Sequence, residues 1–219
     1  MVPKIQPFGT SFIGANNYYS QDKGAVSDER VDWVATRNLA TDNPHVAARV
    51  MAATAMIQNQ LKAEAGIKNT GRKSAGVVMT YTLAWHPDEK EHLTRGEMMQ
   101  AADDTIAVLG AAMHQAVIYA HNDTDHPHIH IMINRVSPID GRMLTSSLQR
   151  LKLSKWAQAY EEGRGHIYCE ERVSNNKKRE ETGEYVRGEK DQPRHIFEAE
   201  IKAGDIGGFW RESVKAIKQ

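Results

Sequence analysis

The chain has 219 residues, 40% hydrophobic and 26% charged, an ordinary globular composition that excludes wholesale disorder. Lys plus Arg total 28 and Asp plus Glu total 28, so the net charge is zero with His neutral. That balance excludes a bulk-basic nucleic-acid coat protein, though not a locally basic groove. Cys169 is the single cysteine, which rules out an internal disulfide and points to a reducing, cytoplasmic compartment. No apolar run approaches the roughly 18 residues of a membrane span, and Met1-Val2-Pro3-Lys4 lacks an apolar signal core, so no membrane insertion is expected.

In chain order, Val2 to Gly9 reads as a short strand or extended entry. Phe12, Ala15 and Tyr19 recur at helical spacing behind Ser11, a candidate N-cap. A polar turn at Gln21 to Gly24 follows. From Asp28 to about Ala65 the pattern predicts helix, with Pro44 near a helix start and Val46, Val50, Ala53 and Ile57 three and four apart. Gly66 and Gly71 end it. Val77 to Trp85 is short, β-rich and bounded by Gly76 and Pro87, so it predicts a strand. Thr94 with Glu97 three residues on fits a capping box opening a helix to Leu109. Gln115 to Asn134 alternates as two strands around a polar turn. A helix is predicted over Ser147 to Glu162 and a last strand over Ile167 to Val173. Asn175 to Arg194 reads as a charged surface loop, and the helical Phe209 to Lys218 pattern runs to the end of the sequence. The expectation is one domain spanning 1–219, with its core in about 1–173, forming the N-terminal part of a longer protein. The predicted class is α+β with a central antiparallel sheet flanked by helices. Trp33 and Trp85 are expected in the core.

Chemistry concentrates in His121-Asn-Asp123-Thr-Asp125-His126-Pro-His128-Ile-His130-Ile-Met-Ile-Asn134. Residues two apart on a strand share a face, so His128, His130, Met132 and Asn134 point one way and Ile129, Ile131 and Ile133 the other. On the preceding strand Val117, Tyr119 and His121 share a face. If the strands pair around Asn122 to Pro127, His121 lies beside His128 and His130. Three imidazoles then converge on one face of a hairpin, a facial metal site with coordination positions left open for chemistry. Asp123, Asp125 and Asn134 are candidates to orient those imidazoles or accept a proton. The spacing does not match a metallo-β-lactamase, where Asp and His follow the alternating pair, nor a zincin helix with His four apart beside Glu.

The motif His121-x-Asp123-x-x-His126-Pro127-His128-x-His130, running into an apolar strand that ends Asn134-Arg135, resembles the metal motif of HUH-type relaxases, the MobA/VirD-like mobilisation nucleases. Tyr18-Tyr19-Ser20-Gln21-Asp22-Lys23 resembles that family's N-terminal tyrosine motif. Val78 to Trp85 followed by Pro87-Asp88-Glu89 is similar to its central segment, and the resemblance runs from about residue 10 to 165. It implies a relaxase-like fold and a metal-dependent nick in single-stranded DNA at a plasmid transfer origin, through a covalent 5′-phosphotyrosine. His121, His128 and His130 match metal ligands, and Asp123 and His126 match positions that assist the metal or take a proton. One of Tyr18 and Tyr19 matches the nucleophile. Tyr19 falls within the apolar stripe of Phe12 and Ala15 and Tyr18 off its edge, so Tyr18 leads. The implied cofactor is Mn²⁺ or Mg²⁺, with Zn²⁺ as an alternative. Accessory mobilisation proteins and a type IV secretion coupling protein are the implied partners, with transfer into a recipient cell alongside the DNA.

The chemistry stands without the analogy. A phenol titrates near about pH 10, so it needs a base or a strong field to attack phosphate near neutrality. For DNA contacts, Arg72 and Lys73 in Thr70-Gly-Arg-Lys-Ser74 form a donor-rich loop, and Arg150, Lys152 and Lys155 align on one helix side near Trp156. A solvated helix face is the competing reading of the latter three. Residues 86–126 carry eight acidic residues against two basic, while 62–76 carry four basic against one acidic, so the zero balance is a sum of segregated blocks. Three other functions would share parts of this pattern. A rolling-circle replication initiator would share the chemistry. A non-catalytic metal- or DNA-binding module would not need either tyrosine, and a metal-dependent hydrolase would form no protein–DNA adduct.

Overall fold

In the computed structural model, residues 1–21, 29–70, 74 and 76–183 are described. Asp22, Lys23 and Gly24 of the expected polar turn, Gly71, Arg72 and Lys73, the end of the charged segment and the Phe209 to Lys218 pattern lie outside them. Met1–Asn176 forms one compact unit; of a second unit, Lys177–Gln219, the described part completes the last helix.

The elements run β1 (Val2–Ile5), α1 (Phe12–Ser20), β2 (Val31–Arg37), α2 (Pro44–Met56), α3 (Gln58–Glu64), β3 (Val78–Ala84), α4 (Arg95–Val108), β4 (Ala116–His121), β5 (His128–Asn134), α5 (Gln149–Gly163) and α6 (Glu170–Thr182). The five strands make one sheet in the order β1-β3-β5-β4-β2, and every neighbouring pair is antiparallel. The class is α+β, as the patterning predicts. β4 and β5 are a hairpin in which His121 pairs with His128 and Tyr119 with His130.

Strand alternation divides the core in two. Ile129, Ile131 and Ile133 of β5 join Ile118, Tyr81, Leu83 and Trp85 with Leu109 beyond α4 and Leu153 of α5 on one face. Val117, Tyr119 and Met132 join Val78 with Phe12 and Tyr19 of α1 and Ala47, Ala48 and Met51 of α2 on the other. Trp33 packs only partly buried against the first cluster, with the Arg95 guanidinium 4.9 Å from its ring centroid.

Three expectations need correction. Asp28 to Ala65 is not helical throughout, because Val31, Trp33, Val34 and Thr36 are β-formers that pair with β4 and extend the sheet to an edge. The helix starts only at Pro44, where the Asn43 side chain accepts from the His45 and Val46 amides. The Val46, Val50, Ala53, Ile57 stripe of α2 faces outward. Ala47, Ala48 and Met51 form the buried face instead, and these small alanines permit close packing on α1. Ile167 to Val173 is not a strand: α6 opens at Glu170 with two carboxylates in its first turn, where the helix dipole favours negative charge. Asn175 to Thr182 continues that helix.

α4 begins on the expected capping box. Glu97 Oε2 accepts from the Thr94 amide at 2.8 Å, Thr94 Oγ1 accepts from the Glu97 amide at 3.2 Å, and Arg164, which caps the C-terminus of α5, donates to Glu97 Oε1 at 2.8 Å. These bonds, the Thr94 amide first, hold the Glu97 carboxyl down at about 2 from its ordinary 4.5. A depressed carboxyl stabilises the fold fully above its unfolded value and loses that contribution as pH falls from about 4.5 toward 2. Glu97→Gln is therefore expected to cost about 0.5–1 kcal/mol at pH 7, the ion-pair share being screened at this half-exposed site. It should also flatten the stability profile between pH 4.5 and 2. Urea unfolding of both proteins across that range checks both outcomes; parallel profiles would assign no role to the carboxylate.

Candidate metal and nucleophile site

The hairpin register brings three imidazoles together at one end of the sheet. The ring centroids of His121 and His130 are 4.5 Å apart, those of His128 and His130 5.0 Å, and those of His121 and His128 5.4 Å. One nitrogen from each lies within 4.8 Å of the others, a spacing that suits a shared ion.

Each ring has its second nitrogen engaged. His121 Nε2 donates to the Tyr19 carbonyl at 2.8 Å. His128 Nδ1 donates to the His126 carbonyl at 3.0 Å, with Thr124 Oγ1 3.3 Å away. His130 Nδ1 meets Thr82 Oγ1 at 2.9 Å. Such bonds fix ring orientation and tautomer, which leaves Nδ1 of His121 and Nε2 of His128 and His130 as the inward donors. Burial first, then the charges of His121, His128 and Arg30, push the His130 imidazole down to about 3. Burial also lowers His121, against its bond to the Tyr19 carbonyl. These two rings are neutral at pH 7, the form that binds metal. The donor set therefore fits a divalent transition ion.

The acidic and amide residues expected to steady these rings divide. Asp123 Oδ1 is 3.5 Å from His128 Nε2 and Oδ2 is 4.0 Å from Arg30 Nη1, so Asp123 stands between His128 and Arg30. Asp125 is exposed on the turn and orients none of the three rings. Asn134 lies at the far end of β5, where its amide donates to the Met51 carbonyl and Gln115 Oε1 and accepts from the Val136 amide. It fastens α2 to the sheet instead. Thr82 and Thr124 do the work expected of Asp125 and Asn134. Thr82 was legible only as a polar position on a strand, because its pairing with β5 joins segments 48 residues apart.

α1 delivers the tyrosines. Ser11 caps it by accepting from the Gly14 amide at 2.9 Å. Asn16, 1% exposed, accepts from the Tyr119 hydroxyl at 2.9 Å and donates to His45 Nδ1 at 2.9 Å, which locks the helix to β4 and α2. Tyr19 is buried, stacked on His130 at 4.7 Å and against Tyr119 at 5.6 Å. Burial raises its phenol, with a partial offset from a bond to Thr80. Tyr18 is 69% exposed, edge-on to Tyr19 at 5.1 Å. Arg30, which the sequence reading did not single out, donates through Nη2 to the Tyr18 carbonyl and holds its guanidinium carbon 5.6 Å from the Tyr18 ring centroid.

His126 is exposed with Nδ1 3.3 Å from the Trp85 carbonyl, beside the triad. It also borders a groove of about 480 Å³ that runs from His128 past Thr82 and Ala84 to Trp85, His86 and Tyr168. Arg150, Lys152 and Lys155 lie elsewhere. α5 packs through Leu153 on the isoleucine side of β5, so the sheet separates these cations from the imidazoles. Among the described residues no helix is long and apolar enough to cross a membrane.

A family model described as relaxase, MobA/VirD2-like, nuclease domain matches residues 18–166. The chain is also similar to Protein TraI of Escherichia coli, 32% identical over 131 residues, which is 59% of this chain and 15% of that protein. The chain thus spans a small fraction of the length of that relative.

Mn²⁺ at about 100 times its dissociation constant is expected to stabilise the protein by about 2.7 kcal/mol in a thermal melt. His128→Ala should abolish that shift, and Thr82→Val should weaken Mn²⁺ binding by about 10-fold or more through loss of ring orientation. A Thr82→Val protein with unchanged affinity would assign the hydroxyl no such part.

Proposed function

Because the chain belongs to the MobA/VirD2-like relaxase nuclease-domain family, we propose that it nicks one strand of DNA at a plasmid transfer origin by transesterification onto Tyr18. The observation that carries this reading is the pairing of an exposed phenol at the end of α1 with three oriented imidazoles one ring away. Tyr18 presents an accessible hydroxyl, while the raised, buried phenol of Tyr19 serves as the wall between Tyr18 and His130.

In the proposed step the Tyr18 oxygen bonds to phosphorus and the bond from phosphorus to the 3′ oxygen breaks. The products are a 5′-phosphotyrosine and a free 3′-hydroxyl. The phenolic proton leaves to a base, for which Asp123 and His126 are the candidates, and the departing 3′ oxygen takes up a proton. One phosphodiester replaces another, so the strand can be rejoined by the reverse step. A divalent cation, Mn²⁺ or Mg²⁺ with Zn²⁺ as the alternative, held by His121, His128 and His130, would supply charge neutralisation at the phosphate oxygens. α1 contributes geometry: His45 of α2, His121 of β4 and Arg30 just before β2 each bond to it, and such fixing keeps a nucleophile in line with its target.

The groove from His128 to Tyr168 offers an apolar, aromatic-edged path for a flexible single strand. Few cations border it, so strand recognition rests on bases more than on phosphate charge, and salt dependence should be modest. Action in the bacterial cytoplasm, passage into a recipient with the DNA, and work with accessory mobilisation proteins and a type IV secretion coupling protein belong to the same proposal.

The test is adduct formation with Mn²⁺ or Mg²⁺ on single-stranded oligonucleotides pooled from the transfer origin, followed by mapping of the modified residue. Wild type and Tyr19→Phe are expected to form adduct and Tyr18→Phe to form none. Adduct on Tyr18→Phe but not on Tyr19→Phe would move the nucleophile to Tyr19. Cleavage with no adduct would replace transesterification by hydrolysis.

A further inference from the structure

Arg30 stands in an unusual place for a cation. Its side chain is 11% exposed and, among the described residues, its Nε is buried without a partner. A guanidinium there opposes the binding of any positive ion by the imidazoles. Asp123 answers it only at 4.0 Å, beyond hydrogen-bond distance, and Asp123 Oδ1 lies toward His128.

The backbone explains how Arg30 comes to this position. β2 runs antiparallel to β4 with Val31 opposite His121, and the Arg30 carbonyl accepts from the Asn122 amide at 3.0 Å. The residue before β2 is thereby fixed beside the first ligand of the triad. Nη2 is committed to the Tyr18 carbonyl, whereas among the described residues Nη1 meets only Asp123, at 4.0 Å. One arm of the fork thus anchors the nucleophile's own backbone and the other remains to donate.

We propose that Arg30 binds the scissile phosphate, its Nη1 donating to a non-bridging oxygen of the phosphodiester that Tyr18 attacks. Charge accounting favours this role. An anion held between the guanidinium and a cation on the imidazoles would relieve the repulsion between those two positive charges. The attack raises the negative charge on the non-bridging oxygens, so a fixed guanidinium is worth more in the transition state than in the ground state. With Nη2 held on the Tyr18 carbonyl the guanidinium plane keeps Nη1 in one direction, which an ammonium on a flexible stem cannot do. Anchoring on the Tyr18 carbonyl also sets phosphate and phenol in a fixed mutual position.

This inference rests on the transesterase reading, and its test is separable from it. Single-turnover adduct formation by wild type on a cleavable oligonucleotide establishes the reading. The same oligonucleotide is then made with a neutral methylphosphonate at the scissile position. Arg30→Gln is expected to slow attack on the phosphate by about 100-fold, the size seen on removing one preorganised donor. On the methylphosphonate it should slow attack by less than about fivefold, because the charge that Arg30 meets is gone. Binding without metal, read by fluorescence anisotropy in EDTA, should show the same selectivity: Arg30→Gln weakens binding of the phosphate oligonucleotide and not of the methylphosphonate. Equal losses on both substrates would overturn the proposal and leave Arg30 as an anchor of α1 alone. Should Arg30→Gln fail to fold in a thermal melt, Arg30→Lys carries the comparison. A larger defect on phosphate than on methylphosphonate supports the proposal, and an equal defect overturns it.

Discussion

The register between β4 and β5 is the constraint on which the site depends. His121 faces His128 and Tyr119 faces His130 only in this pairing, and a slip of one residue would turn each imidazole to the other side of the sheet. The apolar face makes that slip costly. Ile129, Ile131 and Ile133 are each fully buried, and burial of such a side chain contributes about 1.5–3 kcal/mol. Exposing all three would remove an amount comparable to the entire net stability of a typical domain, about 5–15 kcal/mol. The isoleucines thus hold the histidines in place, although no isoleucine touches the chemistry.

A second dependence follows from the shortness of α1. A nine-residue helix is not stable alone, so its position comes from docking. Its last carbonyls would be orphans, since no glycine cap follows and Gln21 is extended. Arg30 takes the Tyr18 carbonyl and His121 takes the Tyr19 carbonyl. The groups that end the helix are therefore the groups that surround the site. Tyrosine position and imidazole orientation are one structural variable: turning the His121 ring frees a helix carbonyl, and moving α1 frees a ring nitrogen.

Much of this was legible in the sequence because it is local. Alternation in His128 to Asn134 gave the ligand face and the buried isoleucines. Ser11 and the Thr94–Glu97 pair gave two helix starts, and their bonds form as those residue types imply. What escaped was non-local or ambiguous. Val31 to Arg37 mixes apolar and polar residues in a way that also fits a helix, and only pairing with β4 makes it a strand. Arg30 and Thr82 reach the site from segments far from the histidines, and nothing in their own neighbourhoods marks them. The outward stripe of α2 marks the helix but not its buried face. Val46, Val50 and Ile57 form a regular apolar row, yet close helix packing selected the smaller Ala47 and Ala48.

Zero net charge, which at first argues against a nucleic-acid partner, fits a site of this kind. The three imidazoles lie close together, with His121 and His130 kept neutral by burial, and the nearby carboxylate Asp123 is shared between His128 and Arg30. A phosphodiester entering here meets little fixed negative charge and needs no broad basic surface to draw it in. A broad basic surface would also bind every sequence alike, since phosphate contacts carry no sequence information. Under the proposed transesterification, Arg30 and an ion on the triad would place electrostatic stabilisation where charge develops and leave recognition to the groove beside His128. On that proposal the enzyme would hold its substrate weakly away from the nick and firmly at it, as a reversible strand exchange at a single position requires.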